Sequence, residues 1–313
     1  MLKAKPGILP FAIAITMLSV LGHGFLGFES AWVHPLVALA AAYAAELSVE
    51  LCIRGWRHAR FRGGARHLVA FLLPAHITGL AVAMLLYANE QFTVIAFAAA
   101  VAIFSKVWFR VPAPASAGGT VHFLNPSNFG IGVALLLFNQ WLGVAPPYQF
   151  TEETERLLDW ALPALVICSG TVLNTRATRR ICVALGWLGG FALQAGLRAL
   201  PDAASLPSLL APMTGLAFVL FTFYMVTDPA TTPARPTAQL AFGGAVALVY
   251  GALTHCGIVF GMFFALTLVC IARGAALQVS ARRQDRAALD VTSAAGEDLF
   301  DTSRVQHATK EQP

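Results

Sequence analysis

Apolar runs close to the length of a bilayer crossing recur along this chain. A helix needs about 20 apolar residues to cross ~30 Å of hydrocarbon at about 1.5 Å per residue. Charged residues make up only 12% of the chain, whereas a soluble protein carries about 25%. We therefore predict an all-α integral membrane protein with ten transmembrane helices, at about 7–27, 32–53, 67–87, 92–110, 126–145, 158–175, 180–200, 208–227, 237–255 and 257–277.

The lysines and arginines predict the orientation of these helices. With the N-terminus in the cytoplasm, 19 basic residues fall in inner segments, and only Arg156 and Arg198 fall in outer ones. Positive charge is retained on the cytoplasmic side of membrane proteins. We therefore expect both termini in the cytoplasm, with a transmembrane domain at 1–279. A mixed-charge tail at 280–313 loses its apolar character and is predicted to be disordered.

The arginine-rich loop at 54–66 has two interpretations, a nucleic-acid site or a topology anchor. An anchor against anionic headgroups explains it better, so the lipid bilayer is the expected partner and nucleic acid is not. The five cysteines all lie inside apolar runs without a CxxC pair. They are interpreted as small buried hydrophobes, and no metal site is expected.

Two segments five spans apart share a short motif. The third span contains "LLPAHITGLA" and the eighth contains "LLAPMTGLA", so each has a proline followed by Thr-Gly-Leu-Ala, at Thr78–Ala81 and Thr214–Ala217. Spans five apart cross the membrane in opposite directions. We therefore predict a five-plus-five inverted repeat, which places a binding site at the repeat interface. Chance similarity between two helices rich in alanine and leucine is the alternative.

Two polar segments interrupt the apolar sequence on the predicted cytoplasmic side. The first, "HFLNPSNFGIG", opens the fifth span and carries His122, Asn125, Pro126 and Asn128, preceded by Lys106 in the fourth span. The second, "FYMVTDPATTP", closes the eighth span and carries Thr227, Asp228, Thr231 and Thr232.

Each segment has a structural and a functional interpretation. Asn-Pro-Ser-Asn before a helix is good N-cap chemistry, with Ser127 or Asn128 as acceptor, and Thr-Asp-Pro marks a turn. Capping needs only one polar residue, however, and each segment supplies several beside aromatic residues. Polar groups at membrane depth are costly unless they are paired, so we favour a ligand site.

The two motifs together resemble those of the NqrB and RnfD membrane subunits. "HFLNPSNFG" is similar to their H-x-FNPAxFG signature, and "FYMVTDPATTP" to their FFMATDPVTSP segment. The single-chain length and the "NPSNFG" variant look most like the UnbU proteins encoded with enediyne biosynthesis clusters. The resemblance implies a multi-pass subunit of the bacterial inner membrane that works in electron transport beside other membrane or redox subunits.

The resemblance also implies a flavin cofactor. In that family one flavin is attached covalently to a threonine of an S-G-A-T-type motif in the outer loop after the Asn-Pro span. Here that loop reads "QFTEETER" and has no such motif, and Thr171 in "SGTV" lies inside a span. Covalent FMN is therefore not expected. A non-covalent riboflavin or FMN would be held on the inner side by residues of the two motifs: His122, Asn125, Pro126, Asn128, Thr227, Asp228, Thr231, Thr232 and Lys106.

Three functions remain open from the sequence. The first is a membrane redox subunit of the NqrB/RnfD type, accessory to natural-product biosynthesis. The second is a small-molecule channel, transporter or exporter on the same inverted-repeat scaffold. The third is a structural anchor for a membrane complex. The sequence contains no P-loop, which argues against an ATP-driven pump, and no nucleophile elbow or HExxH, which leaves a membrane hydrolase without support.

Overall fold

The computed structural model describes residues 8–25, 30–113, 119–144, 156–202 and 206–308. Within these ranges the chain is almost entirely helical. The α-helices are α1 (Ile8–Phe25), α2 (Val33–His58), α3 (Ala65–Leu85), α4 (Phe92–Trp108), α5 (Pro126–Leu137), α6 (Arg156–Val172), α7 (Ile181–Asp202), α8 (Leu206–Leu210), α9 (Leu216–Leu220), α10 (Pro236–His255) and α11 (Gly261–Ala308). Two π-helical turns, Leu173–Ala177 and Phe221–Met225, and one 3-10 turn, Ala211–Thr214, extend them.

Two short antiparallel strand pairs connect the helices. β1 (Leu86–Tyr87) pairs with β4 (Gly143–Val144), which joins the end of α3 to the chain that follows α5. β2 (Arg110–Pro112) pairs with β3 (Thr120–His122), with Arg110 opposite His122. This second pair forms a hairpin that leads directly into α5.

Five helices of the described chain are long and apolar enough to cross a bilayer: α2, α3, α7, α10 and the Gly261–Gln284 part of α11. The segments Leu206–Thr214 and Leu216–Met225 make a sixth if they are counted as one bent span. α1, α4 and α5 are apolar but shorter. The predicted all-α, multi-pass membrane class is thus confirmed, whereas the number of ten crossings stays a prediction.

The helices differ from the predicted spans at three places. The predicted fifth span ran to residue 145, but α5 ends at Leu137, before the polar residues Asn139 and Gln140. The predicted eighth span is bent by 67° at a break between Thr214 and Leu216. The predicted disordered tail from residue 280 instead continues α11 as far as Ala308, in a sequence without proline. Residues 309–313 lie outside the described ranges.

Small residues let the helix backbones approach closely. A Cβ added at Gly79 would meet the Ala38 carbonyl of α2, and one at Gly130 would collide with the Ala98 carbonyl of α4. In the second half, a Cβ at Gly186 or at Gly243 would collide with the backbone of the partner helix, because α7 and α10 pack along their length. Close packing of this kind associates helices in lipid, where apolar surface alone gives no driving force.

A buried carboxylate of α2 binds the chain that follows the helix. Glu50 is 2% exposed, and it accepts hydrogen bonds from the Arg60 backbone N–H at 2.7 Å and from the Arg60 guanidinium at 2.7 to 3.1 Å. Between them Gly55 has φ +69°, which breaks the helix and reverses the chain. The hydrogen bonds from Arg60 to Glu50 raise the pKa of the Arg60 guanidinium, which lies beyond the end of α2.

Candidate functional site

Asn125 caps the N-terminus of α5. Its Oδ1 accepts from the Asn128 backbone N–H at 3.0 Å and from the Ser127 hydroxyl at 3.1 Å. Pro126 occupies the first helical turn, where its fixed φ and missing N–H suit a helix start. The predicted cap is present, but Asn125 supplies it rather than Ser127 or Asn128, because the proline places Asn125 at the capping position.

Asn128 ties α5 to α11. Its Nδ2 donates to the Phe263 carbonyl and to the Thr267 hydroxyl, both at 2.9 Å. The residue is 1% exposed, and its Oδ1 has no hydrogen-bond partner within the described part of the chain. A buried acceptor without a donor costs about 1 to 3 kcal/mol. The atom is therefore available to a ligand that brings an N–H or O–H group.

The start of α5 lies close to the middle of the apolar stretch of α11. Phe123 packs on Gly274, and the Asn125 backbone lies within hydrogen-bonding reach of the Cys270 thiol. Cys270 is about 14 Å along α11 from Gly261, at 1.5 Å per residue. α5 itself has 12 residues and spans about 18 Å. The Asn-Pro motif is therefore at the start of a helix that is shorter than the ~30 Å hydrocarbon layer.

A second helical segment ends beside the start of α5. The π-turn Phe221–Met225 follows α9, and side chains from two other helices bind its carbonyls. The Met225 carbonyl accepts from Asn125 Nδ2 at 2.9 Å, and the Phe223 carbonyl accepts from Asn174 Nδ2 at 2.8 Å. Thr227 Oγ1 also donates to the Phe223 carbonyl, at 2.8 Å. Backbone groups freed by a break inside a membrane must be satisfied in this way.

The Thr-Asp-Pro segment forms a compact turn after this break. The Asp228 carboxylate accepts from the Ala230 N–H at 3.1 Å and from the Thr231 hydroxyl at 3.0 Å. Thr232 Oγ1 donates to the Asp228 carbonyl at 2.7 Å and accepts from Arg180 Nε at 3.0 Å. Thr227, Thr231 and Thr232 are at most 4% exposed, and Asp228 is half-buried. The turn interpretation thus holds, and Asp228 keeps part of its surface open.

Two basic side chains interact electrostatically with Asp228, and one of them is paired with a carboxylate of α2. Lys106 of α4 pairs with Glu46 of α2, with Nζ 3.4 Å from the carboxylate and both side chains under 20% exposed. Asp228 interacts electrostatically with both Lys106 and Arg180. The bundle end at which α2 and α4 finish and α7 and α10 begin is called here the basic end. His122 lies on β3 at this end, opposite Arg110.

The structure thus brings the two predicted motifs into contact. The charges of Lys106 and Asp228 are near enough to interact electrostatically, and Asn125 joins the Asn-Pro motif to the segment that leads to Thr227 and Asp228. Three contributors were missed by the sequence analysis: Glu46, Asn174 and Arg180. A carboxylate in the apolar run 32–53 was a signal for Glu46. Asn174 and Arg180 lie near helix ends, where polar residues are common and do not indicate a site.

Three side chains individually have chemistry that would suit a non-covalent flavin. Asn128 Oδ1 is a buried acceptor without a donor, and Lys106 and Arg180 carry the positive charge that an anionic ring or a phosphate would need. Flavin-sized ligands fill pockets of about 300 Å³ or more. The cavity beside Tyr224 and Met225 holds about 20 Å³, room for one water, and none of these three side chains lines it. Binding a ring there requires the side chains to move apart. No cluster of three His, Cys, Asp or Glu suited to a metal occurs in the described ranges.

Comparison with known sequences adds no relative. No protein-family model matches the chain, and no curated protein matches it significantly. The two motifs and the contacts that join them are the features of the chain that bear on its function.

Proposed function

We propose that the chain is a redox subunit of the bacterial inner membrane, of the NqrB/RnfD type, which binds riboflavin or FMN without a covalent bond. The observation that carries the proposal is the junction of the two resemblance-bearing motifs. They are a hundred residues apart, and the hydrogen bond from Asn125 to the Met225 carbonyl joins them beside Asp228 and Lys106. A bound flavin would supply one- and two-electron transfer at this junction.

The residues around the junction have separate tasks in this proposal. Asn128 Oδ1 would accept from a ring N–H, and Lys106 and Arg180 would balance the negative charge of the reduced ring or of a phosphate. Asp228 accepts from a ribityl hydroxyl. Asn125, Asn174 and the three threonines fix the backbone that carries these groups. Pro126 sets the start of α5. His122 lies on strand β3 of the hairpin, at the basic end of the bundle.

The proposed topology keeps the basic end in the cytoplasm, with ten crossings and an inverted repeat. The packing supports the repeat: α2 packs on α4 and α4 on α5, while α7 packs on α10 and α10 on α11. Each pair in the second half stands five predicted spans after its counterpart. The halves are not identical, because the Thr-Gly-Leu-Ala motif lies inside an unbroken α3 but at the break before α9.

A small-molecule channel or transporter is the second candidate, and the 67° break favours it. Transporters commonly bind substrate at mid-membrane, where the ends of discontinuous helices meet. The start of α5 and the π-turn that follows α9 meet through Asn125 and the Met225 carbonyl. The resemblance to UnbU proteins suggests a natural product as the solute.

An absorption spectrum of the purified full-length protein in detergent decides between the two. The redox proposal expects a flavin spectrum, with the pigment released into the supernatant by acid precipitation. Asp228→Asn should lower the flavin content per protein severalfold, and Glu90→Gln, at an exposed residue of the opposite end, should leave it unchanged. A stable, monodisperse and colourless preparation would reject the redox proposal. Solute flux into proteoliposomes without a reductant, abolished by Asp228→Asn, would then support the transporter.

A further inference from the structure

A histidine lies in the middle of the first half, between two hydroxyl groups. His76 Nε2 is 2.8 Å from Thr16 Oγ1 of α1, and His76 Nδ1 is 2.6 Å from the Tyr43 hydroxyl of α2. Each of the three residues stands about 12 to 17 Å along its own helix, at 1.5 Å per residue. The group is therefore near the centre of the bilayer, where polar side chains are costly and commonly functional.

The hydrogen bonds fix which nitrogen of the neutral ring carries hydrogen. Thr16 Oγ1 donates its one hydrogen to the Ala12 carbonyl at 2.6 Å. Towards His76 it can therefore only accept, so Nε2 carries the hydrogen. The Nδ1 atom of the neutral ring then accepts from the Tyr43 hydroxyl.

This arrangement accommodates a second proton without moving a heavy atom. In an imidazolium both ring nitrogens are donors. Nε2–H would still donate to Thr16, and Nδ1–H would donate to the Tyr43 oxygen once the Tyr43 hydrogen turns away. A histidine that only fills space, or that faces a fixed donor at each nitrogen, has no such second state. The Thr16 and Tyr43 hydroxyls thus form a cradle for both charge states.

Ionisable side chains lead from this cradle to the basic end along one face of α2. Tyr43, Glu46 and Glu50 are spaced three and four residues apart, which places them on one side of a helix. Each has a partner on another element: His76 on α3, Lys106 on α4 and Arg60 beyond α2. A row of this kind offers a route for protons through otherwise apolar sequence.

The other elements packed on α3 add few charges near His76. α1 carries only His23 within its described residues, at the end away from the basic end, and α5 carries no ionisable residue. α4 contributes Lys106, and α3 itself contributes Arg66 and His67 at the basic end. Glu46, one turn from Tyr43, is the nearest acid along the row.

We propose that His76 is a proton-binding site at the centre of the membrane, filled from the basic end along the Glu50, Glu46 and Tyr43 face of α2. In the last step a protonated Glu46 gives its proton to the Tyr43 oxygen, and Tyr43 gives its own hydroxyl hydrogen to His76 Nδ1. The Glu46 O–H bond breaks and leaves a carboxylate beside Lys106, while one O–H bond forms and one breaks on Tyr43. An N–H bond forms at His76 Nδ1, and the positive charge appears on the imidazole. The site requires no flavin and is independent of the proposed redox function.

Nitrogen-15 NMR of histidine-labelled, full-length protein in lipid nanodiscs tests this proposal. At about pH 8 we expect the His76 signals of a neutral ring with hydrogen on Nε2, and on acidification to about pH 5 their replacement by imidazolium signals. Loss of these signals in His76→Asn assigns them. If that variant does not fold, Tyr43→Phe assigns them instead, because it removes the partner of Nδ1 and shifts that nitrogen alone.

Two variants separate a proton site from a structural histidine. Tyr43→Phe should move the midpoint of the His76 titration, since one charge state loses its partner. The matched control, Tyr250→Phe, changes a tyrosine that packs on Trp187 and Phe191 in the other half, and should leave the midpoint unchanged. Hydrogen on Nδ1 at about pH 8 would overturn the proposal, as would a ring that stays neutral down to about pH 5 or a midpoint insensitive to Tyr43→Phe.

Discussion

Asn125 donates from Nδ2 to the Met225 carbonyl at 2.9 Å, while its Oδ1 caps α5 by accepting from the Asn128 N–H at 3.0 Å. One side chain therefore starts one short helix and satisfies the end of another. The two tasks use different atoms of the amide, so substitution can separate them.

We expect Asn125→Ala to destabilise the protein more than Asn125→Ser does. Serine keeps an oxygen that can cap α5, a contribution of about 0.5 to 2 kcal/mol, whereas alanine removes it. Both variants leave the buried Met225 carbonyl without its donor, at about 1 to 3 kcal/mol. Thermal unfolding in detergent measures the order wild type, Asn125→Ser, Asn125→Ala. Equal melting temperatures for all three would show that neither bond contributes.

Asn125 and Asn174 should be energetically coupled. They bind the carbonyls of Met225 and Phe223, two residues apart on one π-turn. Replacement of either asparagine by alanine lets the turn relax, and the remaining hydrogen bond then contributes less to the free energy of unfolding. A double-mutant cycle on unfolding free energies should give a coupling of about 0.5 kcal/mol or more. Strict additivity would mean that the π-turn does not need both clamps.

The contact between α7 and α10 permits a test with adjacent glycines. A Cβ at Gly243 would collide with the Val183 carbonyl, whereas a Cβ at Gly244 meets its nearest atom at 3.9 Å. Gly243→Ala should therefore cost about 1 to 3 kcal/mol, as overpacking does. Gly244→Ala should be neutral or slightly stabilising, because alanine is the better helix former. The two melting curves in the same detergent provide the comparison, and a tolerated Gly243→Ala would contradict the close approach.

Removal of the Glu50 carboxylate should open the chain reversal after α2. Glu50→Gln loses the charge-assisted bonds to Arg60, and such bonds contribute about 1.5 to 3 kcal/mol each in favourable settings. Because Arg60 is partly exposed, we expect a smaller loss, with about tenfold faster tryptic cleavage at Arg57, Arg60 and Arg62. Arg54→Gln provides the control. It removes only the 3.4 Å contact of Arg54 to Glu50 and leaves the bonds from Arg60 to Glu50 intact. Unchanged cleavage of Glu50→Gln would mean that Gly55 alone sets the reversal.

The sequence predicted the membrane class and the capping chemistry because both depend on local composition. Apolar length indicated helices, and Asn-Pro-Ser-Asn indicated a helix start. The early end of α5 was also predictable, since Asn139 and Gln140 interrupt the apolar run after Phe138. Two polar residues barely lower the mean hydropathy of a run of about 20 residues, so the run as a whole still predicts a longer helix.

Long-range partners were not predictable from local pattern. Glu46 and Lys106 are 60 residues apart and pair only because α2 packs on α4. The Thr-Gly-Leu-Ala motif gives an unbroken helix at Thr78 and a break at Gly215. Thr78 bonds the carbonyl four residues before it, and Thr214 bonds the carbonyl three residues before it. The same letters thus adopt two backbones, selected by what packs around them.

The glycine contact between α7 and α10 also has a consequence for biosynthesis. Gly186 leaves the ribosome roughly 60 residues before Gly243, an interval of about 3 to 12 s at typical elongation rates. During this interval the glycine face of α7, which α10 covers in the folded protein, is exposed to lipid. Another newly inserted helix with small residues on one face can pack on it first. Slowing translation between these glycines would therefore increase misassembly, although the finished protein has an unchanged sequence.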